Sequence, residues 1–258
     1  MTLDACAALI EKGDPDRWQA LLAAPVAARA RLLPLYALNL EVARAPWLTR
    51  EPMIAEMRLQ WWRDVVEEAA AGKAPRAHEV AGPLSDLIRG AGLPVDVLDA
   101  LIAARRHDAW KQAFAGETAL DDYLADTAGG LMWLSALALG AGPGAEAAVR
   151  AYGRAAGLAA YFTAVPELSA RGRAALPDPA PGAVRRLAER GLGWLAEARA
   201  ARATVPRRAA PALLAGWQAG PLLRLAAATP EAVGAGGLHL SEFSRRGRLL
   251  WQAMSGRW

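Results

Sequence analysis

Two carboxylates four residues apart, Asp122 and Asp126 in Asp122-Tyr123-Leu124-Ala125-Asp126, stand at a spacing that could do chemistry. Residues i and i+4 share a helix face, so such a pair can share one hard cation. Mg²⁺ is the natural choice, since it takes carboxylate and phosphate oxygens in octahedral geometry. A diphosphate clamp needs more: two pairs on facing helices, holding the ions that stabilise the departing charge. Asp121 and Asp122 also follow Leu120 at a helix start, where the macrodipole favours acidic side chains. Asp122 therefore reads as part of a solvated first turn, with Asp126 the member expected to look inward. One pair holds at most one ion.

Other polar residues fall at helical spacing. Asn39 and Glu41 either line a cavity mouth or are satisfied by neighbours within their helix. Gln60 and Arg63 sit a turn apart, ready to hydrogen-bond inside a cavity. Trp61 and Trp62 read as core and wall. Arg171 and Arg173 either hold an anion or pair with Glu167. His78, His107 and His239 are scattered without zinc-ligand spacing, and His107-Asp108 reads as a helix-surface pair. No serine occupies a G-x-S-x-G elbow, and no G-x-G-x-x-G follows a strand.

Helices must position these groups. In the run from Pro52, the residues Met53, Met57, Trp61 and Val65 recur every four positions, with Glu56, Arg63 and Glu67 on the other side. Pro52 suits a first turn, where its missing N–H costs nothing. Further helices are predicted over residues 82–89, 94–114, 120–139, 145–166, 182–203 and 207–225, with a last one from Leu240 or Ser241. Gly- and Pro-rich stops separate them, notably residues 140–144 and 177–182. Thr127-Ala128-Gly129-Gly130 offers small residues for close helix approach. Strand alternation, internal repeats and dividing linkers are all missing. The expectation is one all-α domain over residues 1–258.

Composition agrees with a packed globule: of 258 residues 54% are hydrophobic, 22% are charged and ten are Trp. The net charge of +4 is mild, and the arginines of residues 185–208 are interrupted by Glu189 and Glu197, which argues against nucleic acid. A single cysteine, Cys6, leaves no internal disulfide and no multi-cysteine metal site. The opening Met1-Thr2-Leu3-Asp4-Ala5-Cys6 lacks the charged and apolar regions of a secretory signal. The longest apolar stretch, residues 128–145, is broken by glycines and Pro143, short of the roughly 20 residues that span a bilayer. A soluble, cytoplasmic protein is expected, with peripheral contact at the inner membrane open through a C-terminal helix carrying Arg245, Arg246, Arg248, Leu249, Leu250 and Trp251. Packing onto the bundle is the alternative for that helix.

Four segments carry a resemblance over residues 28–177: Leu35-Tyr36-Ala37-Leu38, Met57-Arg58-Leu59-Gln60-Trp61-Trp62-Arg63-Asp64, residues 123–131, and Arg171-Gly172-Arg173-Ala174-Ala175-Leu176-Pro177. In order and spacing the chain resembles the squalene/phytoene synthase family. The resemblance implies an isoprenoid-synthase-like helical bundle around a central apolar cavity. It also implies two aspartate clusters, which register on Ala43, Arg44 and Trp47, and on Ala164 and Leu168. None of these can ligate Mg²⁺. In an active relative Arg171 and Arg173 would reach the diphosphate. Asn39-Leu40-Glu41-Val42-Ala43, the Met-Arg-Leu-Gln-Trp-Trp run and Thr163-Ala164-Val165-Pro166 are similar to a divergent branch, the complex I assembly factors of mitochondria and their α-proteobacterial relatives.

The leading reading is thus a catalytically degenerate protein, a non-enzymatic assembly factor for respiratory complex I whose partner is a complex I subunit. One alternative is a Mg²⁺-dependent prenyl-diphosphate synthase with an atypical metal site from Glu41, Asp122, Asp126 and Glu167. Another is a binder of an isoprenoid, quinone or lipid tail. Candidate cavity or binding residues are Tyr36, Asn39, Glu41, Met57, Gln60, Tyr123, Asp126, Arg171 and Arg173. No catalytic residue, metal ligand or cofactor is assigned outside the enzyme alternative.

Overall fold

Local signals set where the helices begin. In the computed structural model, which describes residues 3–258, Asp14 caps the second helix by accepting from the Arg17 backbone N–H at 3.0 Å, with Pro15 in the first turn. Met1 and Thr2, the start of the segment read for a signal, lie outside the described residues. The chain forms α1 (Leu3–Gly13), α2 (Pro15–Ala23), α3 (Val26–Arg44), α4 (Pro52–Ala70), α5 (Ala81–Ala91), α6 (Val95–Ala104) and α7 (Arg106–Ala109). It continues through α8 (Glu117–Leu124), α9 (Gly130–Ala138), α10 (Glu146–Ala170), α11 (Pro181–Ala200), α12 (Ala219–Ala228), α13 (Glu231–Ala235) and α14 (Glu242–Ser255). No strand occurs among the described residues.

The 25-residue α10 is the axis of the bundle, packed by α9, α11 and α12, while α3 lies against α1 and α9, and α4 against α5 and α6. One continuous apolar core runs from Cys6 to Trp258, as a single domain requires. Between α8 and α9 a π-helical turn, Ala125–Gly129, inserts an extra residue. It presses onto α10 where Gly153 and Gly157 stand: a Cβ on Gly157 would come within 2.4 Å of the Ala128 Cβ. The small residues at 127–130 do allow close approach. Helix α5 ends at Gly92, whose φ of 59° closes the last turn in the left-handed region.

Three expectations need correction. The helix read over residues 94–114 stops at Ala104, continues as the single turn α7, and is ended by Lys111 at φ 52°. The bend turns Arg105 and Asp108 inward. The helix read over residues 207–225 is a 3₁₀ stretch, Arg207–Gly216, followed by α12; Pro211 lies within it and supplies no N–H. The every-four stripe on α4 faces the core only at its end. Met53 and Met57 are 59% and 66% exposed, and the buried row is Ala55, Leu59, Trp62, Val66 and Ala69. Four residues overshoot one 3.6-residue turn by about 40°, so a strict i+4 row winds off the packed face.

Candidate functional site

Helices α3, α8, α10 and the π turn enclose a cavity of about 260 Å³. Small residues on α10, Ala156, Gly157 and Ala160, leave its volume open, and Leu124, Leu131 and Met132 make one apolar side. The other side is polar, with Arg17, Tyr36, Asn39, Arg105, Tyr123 and Tyr161. Burial raises the Tyr36 and Tyr161 hydroxyls to about 12 and pushes Tyr123 up further. All three are neutral hydrogen-bonding groups at physiological pH.

Beside the cavity a buried network centres on Asp108, 9% exposed. Arg173, from the loop after α10, donates to Asp108 Oδ1 at 2.7 Å. The Tyr123 hydroxyl donates to Oδ2 at 2.8 Å and accepts from Arg105 Nη1 at 2.6 Å. Arg105 Nη2 reaches Asn39 Oδ1 at 3.3 Å. Neighbouring His107 stacks on Phe114 with ring centroids 4.0 Å apart, and burial lowers its pKa. His107-Asp108, read as a surface pair, is instead split: one ring on an aromatic wall, one carboxylate in the interior. Sequence reasoning missed Asp108 because its partner Arg173 is 65 residues away.

Trp47 closes the outer side of this network. The Arg171 and Arg173 guanidinium carbons lie 4.7 and 5.2 Å from its ring centroid, so an aromatic ring in contact with two cations occupies a position registered on the family's first aspartate cluster. Arg171 also bonds Glu167 at 2.5 Å on the surface; of the two readings for this arginine, pairing with Glu167 is the one the structure realises.

The candidate residues divide into separate places. Tyr36, Asn39 and Tyr123 line the cavity, and Arg173 is buried behind it. Glu41 and Met57 line a different feature, an open groove of about 480 Å³ between α3 and α4 with Leu48, Ile54, Trp61 and His78. Gln60 is exposed and bonds Asp64 at 2.8 Å and Arg63 at 3.3 Å; Arg63 in turn holds Asp99. The expectation that Gln60 and Arg63 hydrogen-bond inside the cavity is therefore wrong. Asp126 is exposed and borders a small cleft with Asp96 and Arg150, on the side away from the cavity. The inward direction expected for Asp126 is also wrong: the π turn that follows Tyr123 points the tyrosine in and Asp126 out. Partial burial and then the Asp122 charge raise the Asp126 pKa.

Two more carboxylate pairs at the same helical spacing went unremarked, and arginines hold both. Asp64 and Glu68 bind Arg76, and Glu117 and Asp121 bind Arg190.

The comparisons with known proteins agree with this architecture. Residues 10–180 match the squalene/phytoene synthase family, and the chain belongs to it. Assembly factor 6 of NADH dehydrogenase (ubiquinone) complex I from Mus musculus and from Bos taurus is 27% identical over 173 residues, which is 67% of this chain and 52% of the relative. The Homo sapiens protein is 26% identical over the same length. The chain thus spans about half the length of these curated relatives. Among solved structures, a dehydrosqualene synthase in complex with ligand superposes with a TM-score of 0.80 at 15% identity, covering 98% of this chain and 95% of that one. Squalene synthase HpnC from Alicyclobacillus acidocaldarius gives 0.73 at 19% identity, covering 87% and 92%. These two likenesses establish the isoprenoid-synthase helical fold.

The donor set does not fit the Mg²⁺ that such a fold implies. Ala43, Arg44, Trp47, Ala164 and Leu168 offer no ligating oxygen side chain. Among the described residues, no group of three or more His, Cys, Asp or Glu is placed to hold a metal ion. Glu41, Asp122, Asp126 and Glu167, the atypical set, lie in the groove, on the outer face of α8 and the π turn, and on the end of α10.

Proposed function

We propose that this protein is a non-enzymatic assembly factor for respiratory complex I, acting by protein contact. The observation that carries the reading is the replacement at the synthase's metal positions. Trp47, with the Arg171 and Arg173 guanidinium groups both near its ring, stands at a position that the first aspartate cluster would take. The buried Arg105 and Arg173 bond Asp108, Tyr123 and Asn39, with Arg105 Nε and Arg173 Nη1 left without a protein partner. The complex I assembly factor relatives support the direction, and a complex I subunit is the partner class they suggest. No cofactor is needed for this role. The cavity of about 260 Å³ falls just below the roughly 300–1,000 Å³ of small-molecule sites, which disfavours a long isoprenoid or quinone tail as resident ligand.

Among the described residues no helix is long and apolar enough to cross a membrane. A site of action on the cytoplasmic side of the inner membrane is consistent with that and with the proposed partner.

Deletion of the gene in the source organism, read out as NADH:quinone activity and complex I abundance, tests the proposal. Loss of both is expected, and unchanged complex I levels refute it. Incubation of the purified chain with farnesyl or geranylgeranyl diphosphate and Mg²⁺, assayed for released pyrophosphate, tests the enzyme alternative. Clear turnover would overturn the non-catalytic reading.

A further inference from the structure

The C-terminal helix α14 is mounted the wrong way round for a helix of a water-facing bundle. Its bundle side is the polar one: Gln252 is 3% exposed, and Arg245 reaches Asp16 and stacks over Trp217 at 5.6 Å. Leu249 is the one apolar side chain that α14 buries well on this side. The outward side carries Phe243, Leu250, Trp251 and Met254, which are 90%, 61%, 52% and 80% exposed. With Gly247 these follow the i, i+4, i+7, i+8, i+11 spacing of one helical stripe.

Arginines outnumber acidic residues around the helix. Glu242, shared between Arg245 and Arg246, is the only acidic residue in α14. The Arg246 side chain is 79% exposed. Arg257 and Arg207 border a cleft at the helix end. Beneath α14, burial and then the nearby Arg224 and Arg199 charges lower the Arg248 pKa, the mark of cations crowded together.

We propose that α14 is a membrane-docking helix, its Phe243–Leu250–Trp251–Met254 stripe entering the interface of an anionic bilayer while the surrounding arginines meet the lipid headgroups. Aromatic and aliphatic residues on one face with arginine at the flanks is the composition of helices that lie in that interface. A second copy of the chain fits less well. Weighted by their exposure, the four stripe side chains present roughly 400–700 Å² of apolar surface at about 150–250 Å² per large side chain. A stable protein pair buries about 800 Å² per partner, and pairing two such helices would bring like charges together. The surface belongs to no part of the cavity or its network, so the inference stands apart from the complex I reading.

Flotation of the full chain with vesicles tests it. Vesicles of phosphatidylcholine containing roughly three parts in ten phosphatidylglycerol should carry the protein up the gradient, and pure phosphatidylcholine should bind at least about tenfold more weakly. The double variant Phe243→Ser/Met254→Ser should lose about tenfold or more in binding while its thermal midpoint stays within a degree or two, since both side chains are exposed. Arg246→Ala and Arg257→Ala should each weaken anionic binding by about fivefold. Equal flotation of the double variant and the parent, or no flotation with either lipid, overturns the proposal. So does a dimer of the parent that the double variant converts to monomer, because the stripe then seats a second copy.

Discussion

Replacing Asp108 by Asn removes one charge from the centre of the buried network while keeping the shape of the side chain. The Asp108 and Arg173 side chains are only 10% and 4% exposed, so solvent screens their pairing weakly. Breaking a buried ion pair from one side typically costs about 3–5 kcal/mol, because the remaining charge is left uncompensated. Asn keeps one acceptor oxygen, enough for the Arg173 Nη2, and turns an NH2 donor toward the Tyr123 hydroxyl and Arg105, so a loss of at least about 3 kcal/mol is expected. That is a large share of the roughly 5–15 kcal/mol that holds a domain together. With a urea dependence of about 3 kcal/mol per molar, the unfolding midpoint should fall by about 1 M. The double variant Asp108→Asn/Arg173→Met removes both charges, and a double-mutant cycle should return a coupling of about 2 kcal/mol or more. An unfolding free energy for Asp108→Asn within about 0.5 kcal/mol of the parent would refute the argument that this carboxylate balances the buried arginines.

Four further outcomes are expected. Gly157→Ala sets a Cβ 2.4 Å from Ala128, and Gly153→Ala sets one 2.8 Å from the Ala128 carbonyl oxygen, so each should lower stability by about 1–3 kcal/mol in chemical denaturation. Asp126 has a raised pKa, so its ionised form is the disfavoured one in the fold: the protonated state stabilises at low pH, and that contribution is lost as pH rises through the folded value. Asp126→Asn should therefore raise the thermal midpoint at pH 7, with the gain vanishing near pH 3. Cys6 is buried with its thiol pushed up to about 11 by burial, so a thiol reagent at pH 8 should label it only after unfolding. Met57→Asp, on the open groove between α3 and α4, should leave stability within about 0.5 kcal/mol of the parent; under the complex I reading, complementation by this variant reports whether the groove takes part in protein contact.

Much of the fold is written locally. Pro52 opens α4, Asp14 caps α2, and the glycines and prolines of residues 140–144 and 177–182 fall between helices. Short motifs also led to part of the cavity: Tyr36, Asn39 and Tyr123 line it. Gln60, Asp126 and Met57 belong to comparable motifs yet point elsewhere. Each sits on a regular or nearly regular helix whose rotation about its own axis no local pattern specifies. On α4 the every-four row Met53, Met57, Trp61 looked like the packed face, and the neighbouring row Leu59, Trp62, Val66 proved to be the one that α5 and α6 cover.

What the sequence alone determined is the set of available groups: helix-forming segments, a residue stock fit for a single core, and no oxygen ligands at the synthase's aspartate positions. Those depend on the identity of each residue and on its near neighbours. Only the tertiary structure decided which groups meet. Asp108 joins Arg173 across 65 residues, Arg190 joins Glu117 across 73, and α14 turns its apolar stripe away from the bundle. The physical reason is that burial and ion pairing are properties of several elements packed together. A side chain's surroundings, and hence its charge balance and its reach, come into being only when distant helices have settled their rotation and depth against one another.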